Sequence, residues 1–399
     1  MLSYDVLILG AGPAGCSAAY DLARAGKRVL MLDKRMFPRH KACACGLTRK
    51  TLKALRYSVE PVVERVCHEI VLRHIASHTA QRVLVRTRDP ICAMAVRERF
   101  DAFCLQQTLA AGAELCKVEG IVALREETDR IEVDIATAAG IETLEAPVVI
   151  GADGSNGQSR RLAEGLRTGK EVRAAALPAE PQWYARGFAL ETTVPYAMLP
   201  IALPGGDTPQ DLVFDFAPLP GGYGWLFPKG DHVNIGVGAF APTPTGDACL
   251  KSVTRALLTE YTEANLGITT LPNITGQYLG MGGQAYVPHG RVLLAGDAAG
   301  LVDPLTGEGI YSAIVSGQAA AAAILACDAT DLTEEYARRL QPLQKTLAFS
   351  RRAAQAFYAH PERGFRVMRT PLLRSLVLKT YSDGLPPTKL LGILSKIFA

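Results

Sequence analysis

Long hydrophobic runs are missing from this sequence. The longest, "AAAAAILAC" from Ala319 to Cys327, covers nine residues, against the roughly 20 that a helix needs to cross a bilayer. The opening "MLSYDVLILGAGPAG" has no positively charged leader and no small-residue cleavage site, so a cytoplasmic protein is expected. Charge of one sign is scarce too: the net charge is +4 over 399 residues, and no basic run is interleaved with aromatics. Nucleic acid is thereby excluded as a partner. The nine cysteines are odd in number and irregularly spaced, which argues against a disulfide framework and for a reducing compartment. Nor is there a disordered tract. Hydrophobic residues at 48% and charged residues at 21% describe a folded chain, long enough for two or three domains or for one large domain carrying an insertion.

What is present starts at the N-terminus. Val6, Leu7, Ile8 and Leu9 form a continuous apolar run, the pattern of a strand covered on both sheet faces. It leads into "GAGPAG", with Gly10, Gly12 and Gly15 in G-x-G-x-x-G spacing. A helical stretch follows from Cys16 to about Ala25 with Gly26 as its stop, and "KRVLMLD" gives a second strand ending at Asp33. Gly10 permits a tight turn, Gly12 lets the backbone approach a pyrophosphate, and Gly15 lets the helix lie close to the strand. The helix N-terminus offers N–H groups and a positive dipole end to phosphate. Asp33, 18 residues after Gly15, is placed to accept hydrogen bonds from ribose hydroxyls. This is a dinucleotide-binding unit, though the motif does not separate FAD from a nicotinamide nucleotide. Only one such unit is present, so the reductant docks transiently or is another electron carrier.

Later segments separate the two. "VVIGADGSNGQSRR", Val148 to Arg161, resembles the G-A-D-G segment of FAD-dependent oxidoreductases of the p-hydroxybenzoate hydroxylase type, and "GRVLLAGDAAGLVDPLTGEGI", Gly290 to Ile310, resembles their G-D segment. In "VRERFD", Arg97 stands where that group has an arginine that helps hold FAD. The resemblance implies FAD. It gives Asp297 contact with the flavin-side ribose and brings Gly307, Gly309 and Ile310 to the isoalloxazine. Ala14, Lys34, Asp153 and Gly154 complete the expected cofactor set with the glycines and Asp33. Taken alone, "GDAAG" reads equally as a helix N-cap made by Asp297.

Between these segments, "WYARGFALETTV", "DLVFDFAP", "GYGWLFPKG" and "HVNIGVGAF" read as strands. In the last, Val233, Ile235 and Val237 have the period of two of a half-buried strand. Tyr223, Trp225 and Phe227 alternate onto one strand face before Pro228 ends it. The run resembles the Y-x-W-x-F-P signature of geranylgeranyl reductases, whose substrates are long isoprenoid chains. Tyr223 and Trp225 suit the mouth of an apolar tunnel, and Phe227 reads as core at least as well.

"RHKACACGLT", Arg39 to Thr48, resembles that family's K-P-C-G-x-G-L stretch, matching at Lys41, Cys43, Gly46 and Leu47 and departing at Ala42 and Cys45. The resemblance places Cys43 beside the flavin and counts Cys45 and Gly46 with the cofactor loop. Four readings of the thiols stand. With His40 they are too few for a closed zinc site. A bond between residues i and i+2 is strained and labile. They pack as buried thiols, the first reading for Cys45. Or Cys43 supplies a proton or positions substrate, with Lys41 or His40 lowering its pKa.

From Gln341 to Ala399 ten basic residues face two acids, with apolar residues in helix-like patterns and "LLGILSKIF" at the close. This is a helical cap with a solvated basic face, or an amphipathic surface that lies on an anionic membrane. The expected fold is α/β (α+β): a discontinuous Rossmann-type FAD-binding domain over 1–75, 95–170 and 276–330, an inserted antiparallel-sheet substrate domain over 171–275, and a helical C-terminal segment over 331–399. The resemblance implies a cytoplasmic enzyme, peripheral to a membrane, that saturates carbon–carbon double bonds of a polyprenyl lipid with electrons from NAD(P)H or a ferredoxin-type carrier. The alternatives are an aromatic monooxygenase or halogenase of the same fold, a quinone-linked electron carrier, or a non-enzymatic FAD-binding regulator.

Overall fold

The apolar runs form a parallel sheet. In the computed structural model, which describes residues 4–384 except 77–78, 170, 205–209, 217, 220, 241–246 and 328–330, Val6–Leu9 is the central strand of five. Their order is Val292–Leu294, Val148–Gly151, Val6–Leu9, Val29–Asp33 and Glu114–Lys117, and every pairing is parallel. Helix Pro13–Arg24 packs against it, and helix Ile310–Ala326 lies along that helix. Their approach is so close that a Cβ on Gly317 would fall 2.2 Å from the Ala14 carbonyl oxygen. Helix Leu332–Ala359 is fastened behind them by the Tyr336 hydroxyl, which donates to the Leu294 carbonyl at 2.6 Å.

A seven-stranded sheet stands beside this unit. Its order is Thr275–Met281, Ala185–Pro195, His232–Ala239, Gly222–Pro228, Val213–Asp215, Glu69–Ala76 and Thr79–Arg86. Four of the seven strands come wholly from 171–275. Glu69–Ala76 and Thr79–Arg86 lie outside it, because Val213–Asp215 pairs in parallel with Val71–Arg73 and the buried Arg73 and Asp215 form an ion pair. No local pattern announces a pairing over that sequence distance. Two smaller antiparallel sheets, one of four strands and one of three, complete the β structure described.

His232–Ala239 is buried on both faces, not half-buried as its period of two implies. Val233, Ile235 and Val237 pack with Leu258 and Tyr261 of helix Asp247–Leu266. The opposite face carries Asn234, Gly236 and Gly238, small or polar residues under the Trp225 indole and the Phe240 ring. Small residues there reflect a close neighbour, not solvent. The second face of the large sheet is covered by helices Pro361–Arg369 and Pro371–Asp383, whose Phe365, Met368 and Leu378 join Phe214, Tyr223, Trp225 and Phe227 in one buried cluster. The C-terminal segment is thus a cap through residue 383, with Lys345, Arg351, Arg352, Arg369 and Lys379 exposed. Lys389, Lys396 and "LLGILSKIF" lie outside the described residues. Among the described residues no helix is long and apolar enough to cross a membrane.

Trp225 and Gly236 are direct cross-strand partners, and a Cβ on Gly236 would lie 2.1 Å from the indole Cζ2. Gly236→Ala is therefore expected to displace the indole and cost about 1–3 kcal/mol. The urea midpoint and tryptophan emission read this out; if both stay at wild-type values, the indole is not held against Gly236.

Candidate active site

The first turn of helix Pro13–Arg24 has no side-chain cap, so its leading N–H groups are open to an anion. The three glycines before it differ in what constrains them. Gly10 has φ +107° and sits so close to the next strand that a Cβ would meet the Ala152 carbonyl oxygen at 2.5 Å, and one on Gly15 would meet the Gly10 carbonyl oxygen at 1.9 Å. A Cβ on Gly12 would find only Arg39 Nη2 at 3.7 Å. Packing therefore dictates Gly10 and Gly15, while the backbone at Gly12 is left bare.

That groove has a volume of about 480 Å³ and is bordered by Gly10, Asp33, Lys34, Lys41, Asp153 and Gly154. Asp33 accepts from Ala11 N–H and from Arg35 N–H, both at 2.9 Å, which fixes its carboxylate at the groove wall. Asp153 also borders the groove, but its oxygens accept from Gln158 N–H at 2.7 Å, Ser159 N–H at 2.9 Å and the Ser159 hydroxyl. It shapes the loop and starts helix Ser159–Leu166.

Deeper in, Arg97 makes two 2.8 Å hydrogen bonds to Asp101, and Arg39 reaches the same carboxylate at 3.1 Å. Burial works against both charges of the Arg97–Asp101 pair, yet the pairing holds Arg97 above and Asp101 below its ordinary range. Half-buried Lys41 is held below its usual range by burial and by Arg97. Three cations thus surround one fully buried carboxylate, with Asp297 further off, and the surplus suits a pyrophosphate. The donor set, the uncapped helix and the bare Gly12 fit FAD.

A second cavity, of about 160 Å³, continues from the groove through Lys41, Ala42 and Gln277, which border both. Arg97, Asp297, Gly307, Gly309, Ile310 and the Cys43–Gly46 loop line it. Neither the Gly296–Ala299 turn nor helix Ile310–Ala326 has a side-chain cap, so the Asp297 carboxylate is not acting as an N-cap. The loop departs from expectation at Cys45, which adopts φ +48° where the family pattern has glycine. Its backbone keeps the left-handed turn and its side chain is buried, which pushes the thiol pKa up. Cys45 N–H points at Cys43 Sγ, 3.4 Å away, and both are free thiols.

Two residues the sequence reading passed over hold this loop. Glu191, buried in strand Ala185–Pro195, accepts from Cys43 N–H at 2.8 Å, and buried Lys229 donates to the Ala44 carbonyl at 2.6 Å. Burial raises Glu191 to about 7, and burial lowers Lys229. Asn234 takes the Trp225 indole N–H on Oδ1 at 2.8 Å and hydrogen-bonds Glu191 through its side chain. The only sequence signal for Glu191 was an acid inside an apolar strand, and Lys229 looked like a turn charge after Pro228. Packing claims Ala14 as it does Gly15: Ala14 is wedged against Gly296 and Gly317, and neither residue borders either cavity.

Tyr223 and Trp225 are buried rather than at a surface mouth. Tyr223 donates to the Thr306 carbonyl at 2.5 Å and, with Thr306 and Tyr381, borders both the 160 Å³ cavity and a third one of about 410 Å³. This third space lies between the large sheet and the C-terminal helices, lined by Ile70, Leu72, Phe214, Phe357, Met368 and Leu378 among others. Of the described residues that line it, none is charged.

A Rossmann-type sheet, a cationic dinucleotide groove and a cavity at its inner end define an FAD-dependent oxidoreductase. The comparisons agree. A sequence profile for an FAD binding domain matches residues 3–182. Geranylgeranyl diphosphate reductase of Rhodobacter capsulatus is 30% identical over 327 residues, covering 82% of this chain and 76% of that protein. The chain belongs to the geranylgeranyl reductase family. Among solved structures, a geranylgeranyl bacteriochlorophyll reductase-like protein of Thermoplasma acidophilum has the same fold, with a TM-score of 0.70 at 21% identity over 89% of this chain and 88% of the other. The fold is shared with the flavin-dependent brominase Bmp2, at a TM-score of 0.69 and 16% identity over 99% of each chain.

Removing Arg97 leaves Asp101 with one direct ion pair, to Arg39, and with Lys41 nearby. Arg97→Met is expected to cost about 3 kcal/mol or more and to purify with less than half the wild-type FAD. Thermal unfolding and the flavin-to-protein absorbance ratio test this, and a fully loaded variant of wild-type stability would refute it.

Proposed function

We propose that this protein saturates carbon–carbon double bonds of a polyprenyl lipid. The observation that carries the reading is the 410 Å³ cavity, uncharged among the described residues that line it and joined at Tyr223, Thr306 and Tyr381 to the space beside Cys43. An isoprenoid chain is long, apolar and without hydrogen-bonding groups, and it matches such a lining. A phenolic substrate of a hydroxylase or halogenase calls for polar partners instead. The name of the Rhodobacter capsulatus relative points the same way.

In this reading Gly12, the first helical turn, Arg39 and Lys41 hold the pyrophosphate, Asp33 and Lys34 the adenosine ribose, and Asp297 the flavin-side ribose. Arg97 and Asp101 brace that end, Gly154 keeps its loop open, and Cys45, Gly46, Gly307, Gly309 and Ile310 form the bed of the ring. Reduced FAD supplies the hydride; NAD(P)H or a ferredoxin-type carrier supplies the electrons. An isolated alkene is a poor electrophile, so the protein must provide a positioned acid. Tyr223 and Trp225 hold the chain, and Cys43 stands where a side chain donates the proton or presses the alkene to the ring. The exposed basic residues of the cap and exposed Leu372 suit a peripheral stance on an anionic membrane, from which such a lipid is drawn.

Anaerobic reduction of the yellow protein, followed by a geranylgeranyl lipid, should reoxidise the flavin with a gain of about two daltons per double bond reduced. A flavin that stays reduced until oxygen arrives would overturn the reading. Cys43→Ala should slow this step at unchanged FAD content, and a wild-type rate would remove Cys43 from the chemistry. Ala353→Trp, which fills the apolar cavity, should raise KM for the lipid at least tenfold while FAD content holds; an unchanged KM would place the chain elsewhere.

A further inference from the structure

We infer that the carboxyl group of Glu191 is the proton source for alkene reduction. The inference rests on the reductase reading and identifies the acid that this reading requires. Glu191 is 7% exposed and borders the same 160 Å³ cavity as Cys43, Trp225 and Gln277. It lies at the centre of its strand, Ala185–Pro195, which is paired on both sides, so its position is set by the sheet rather than by a loop.

Its surroundings give the carboxyl what a proton donor needs. The groups facing it are Cys43 N–H from the loop, Asn234 from His232–Ala239, Lys229 from beyond Pro228, and Arg97 from helix Arg97–Ala110. Trp225 occupies Asn234 Oδ1, which orients the amide so that Nδ2 faces the carboxyl. Both close partners are therefore neutral donors, while Lys229 is engaged with the Ala44 carbonyl. Neither cation forms an ion pair with Glu191, so burial dominates and the group titrates at about 7. Near neutral pH a large share carries its proton, and this acid is stronger than an ordinary thiol of pKa about 8.5.

The step balances. The π bond of the alkene breaks, one carbon accepts a hydride with both electrons from the reduced flavin, and the other accepts the Glu191 proton through a new C–H bond. The carboxylate left behind is stabilised by Cys43 N–H, Asn234 and the two nearby cations, and regains a proton from solvent before the next turnover. Cys43 then acts through its backbone, which aims the carboxyl into the cavity, and through a thiol that packs against substrate.

The decisive variant is Glu191→Gln, because the amide keeps an acceptor for Cys43 N–H and loses only the acidic proton. With FAD content and melting temperature checked against wild type, reoxidation of the reduced flavin by a geranylgeranyl lipid should fall at least 100-fold, within the range of general-acid contributions. Glu191→Asp should retain more activity than Glu191→Gln. The wild-type rate should fall as pH rises through about 7, since the acid form is lost there. An independent readout needs no lipid: infrared titration should show a protonated-carboxyl band that disappears near pH 7 in wild type and is missing from Glu191→Gln. Glu191→Gln at more than a third of the wild-type rate, or no such band in wild type, overturns the inference while the reductase reading stands. Wild-type protein that reduces no prenyl lipid overturns both.

Discussion

Two buried hydrogen bonds tie the loop after the dinucleotide unit to the large sheet. Cys43 N–H is held by Glu191 and the Ala44 carbonyl by Lys229, so adjacent residues of that loop are fastened to buried charged residues of the large sheet. Neither residue is at ease there. Burial drives the acid towards its protonated form and the lysine towards its neutral one, and each is the other's distant counter-charge. The loop is what separates the cofactor groove from the inner cavity, with Lys41 and Ala42 bordering both. Its position decides where groove ends and chemistry begins. Cys45 at φ +48° shows how firmly the path is imposed, since a non-glycine residue there carries strain that the surrounding contacts must offset.

Electrostatics divide the site along its length. Where the groove meets the inner cavity, Arg39, Lys41 and Arg97 gather around Asp101, an arrangement with spare positive charge that suits an anionic pyrophosphate. The inner cavity sets Glu191, under neutral hydrogen bonds, beside groups that are ion-paired, Arg97 with Asp101 and Glu308 with Lys50, and of the described residues lining the space beyond Tyr223 none is charged. Polarity therefore falls in steps from the phosphate end to the apolar end, in the order in which a dinucleotide, a reacting double bond and a hydrocarbon chain would lie.

The fold alone does not choose the reaction, since the same architecture serves a brominase. In this chain the helices Leu332–Ala359, Pro361–Arg369 and Pro371–Asp383 roof one face of the large sheet with aliphatic and aromatic side chains. Together with Tyr223 from the aromatic strand, that roof borders the apolar space.

Much of this was legible in the chain. Strand, glycine turn, helix and acid at Asp33 are local features whose spacing follows from backbone geometry, and the G-D segment and the alternating aromatics carry their meaning within a few residues. Signals of that range survive without knowledge of the fold. What the tertiary structure alone decided involves partners far apart in sequence: the parallel pairing of Val213–Asp215 with Val71–Arg73, the burial of His232–Ala239 on both faces, the wedging of Ala14 between two helices, and the meeting of Cys43 with Glu191 across 148 positions. In sequence Glu191 is one acid in an apolar strand. Its proton affinity is set by desolvation, and desolvation exists only once the sheet, the loop and the C-terminal helices have closed over it.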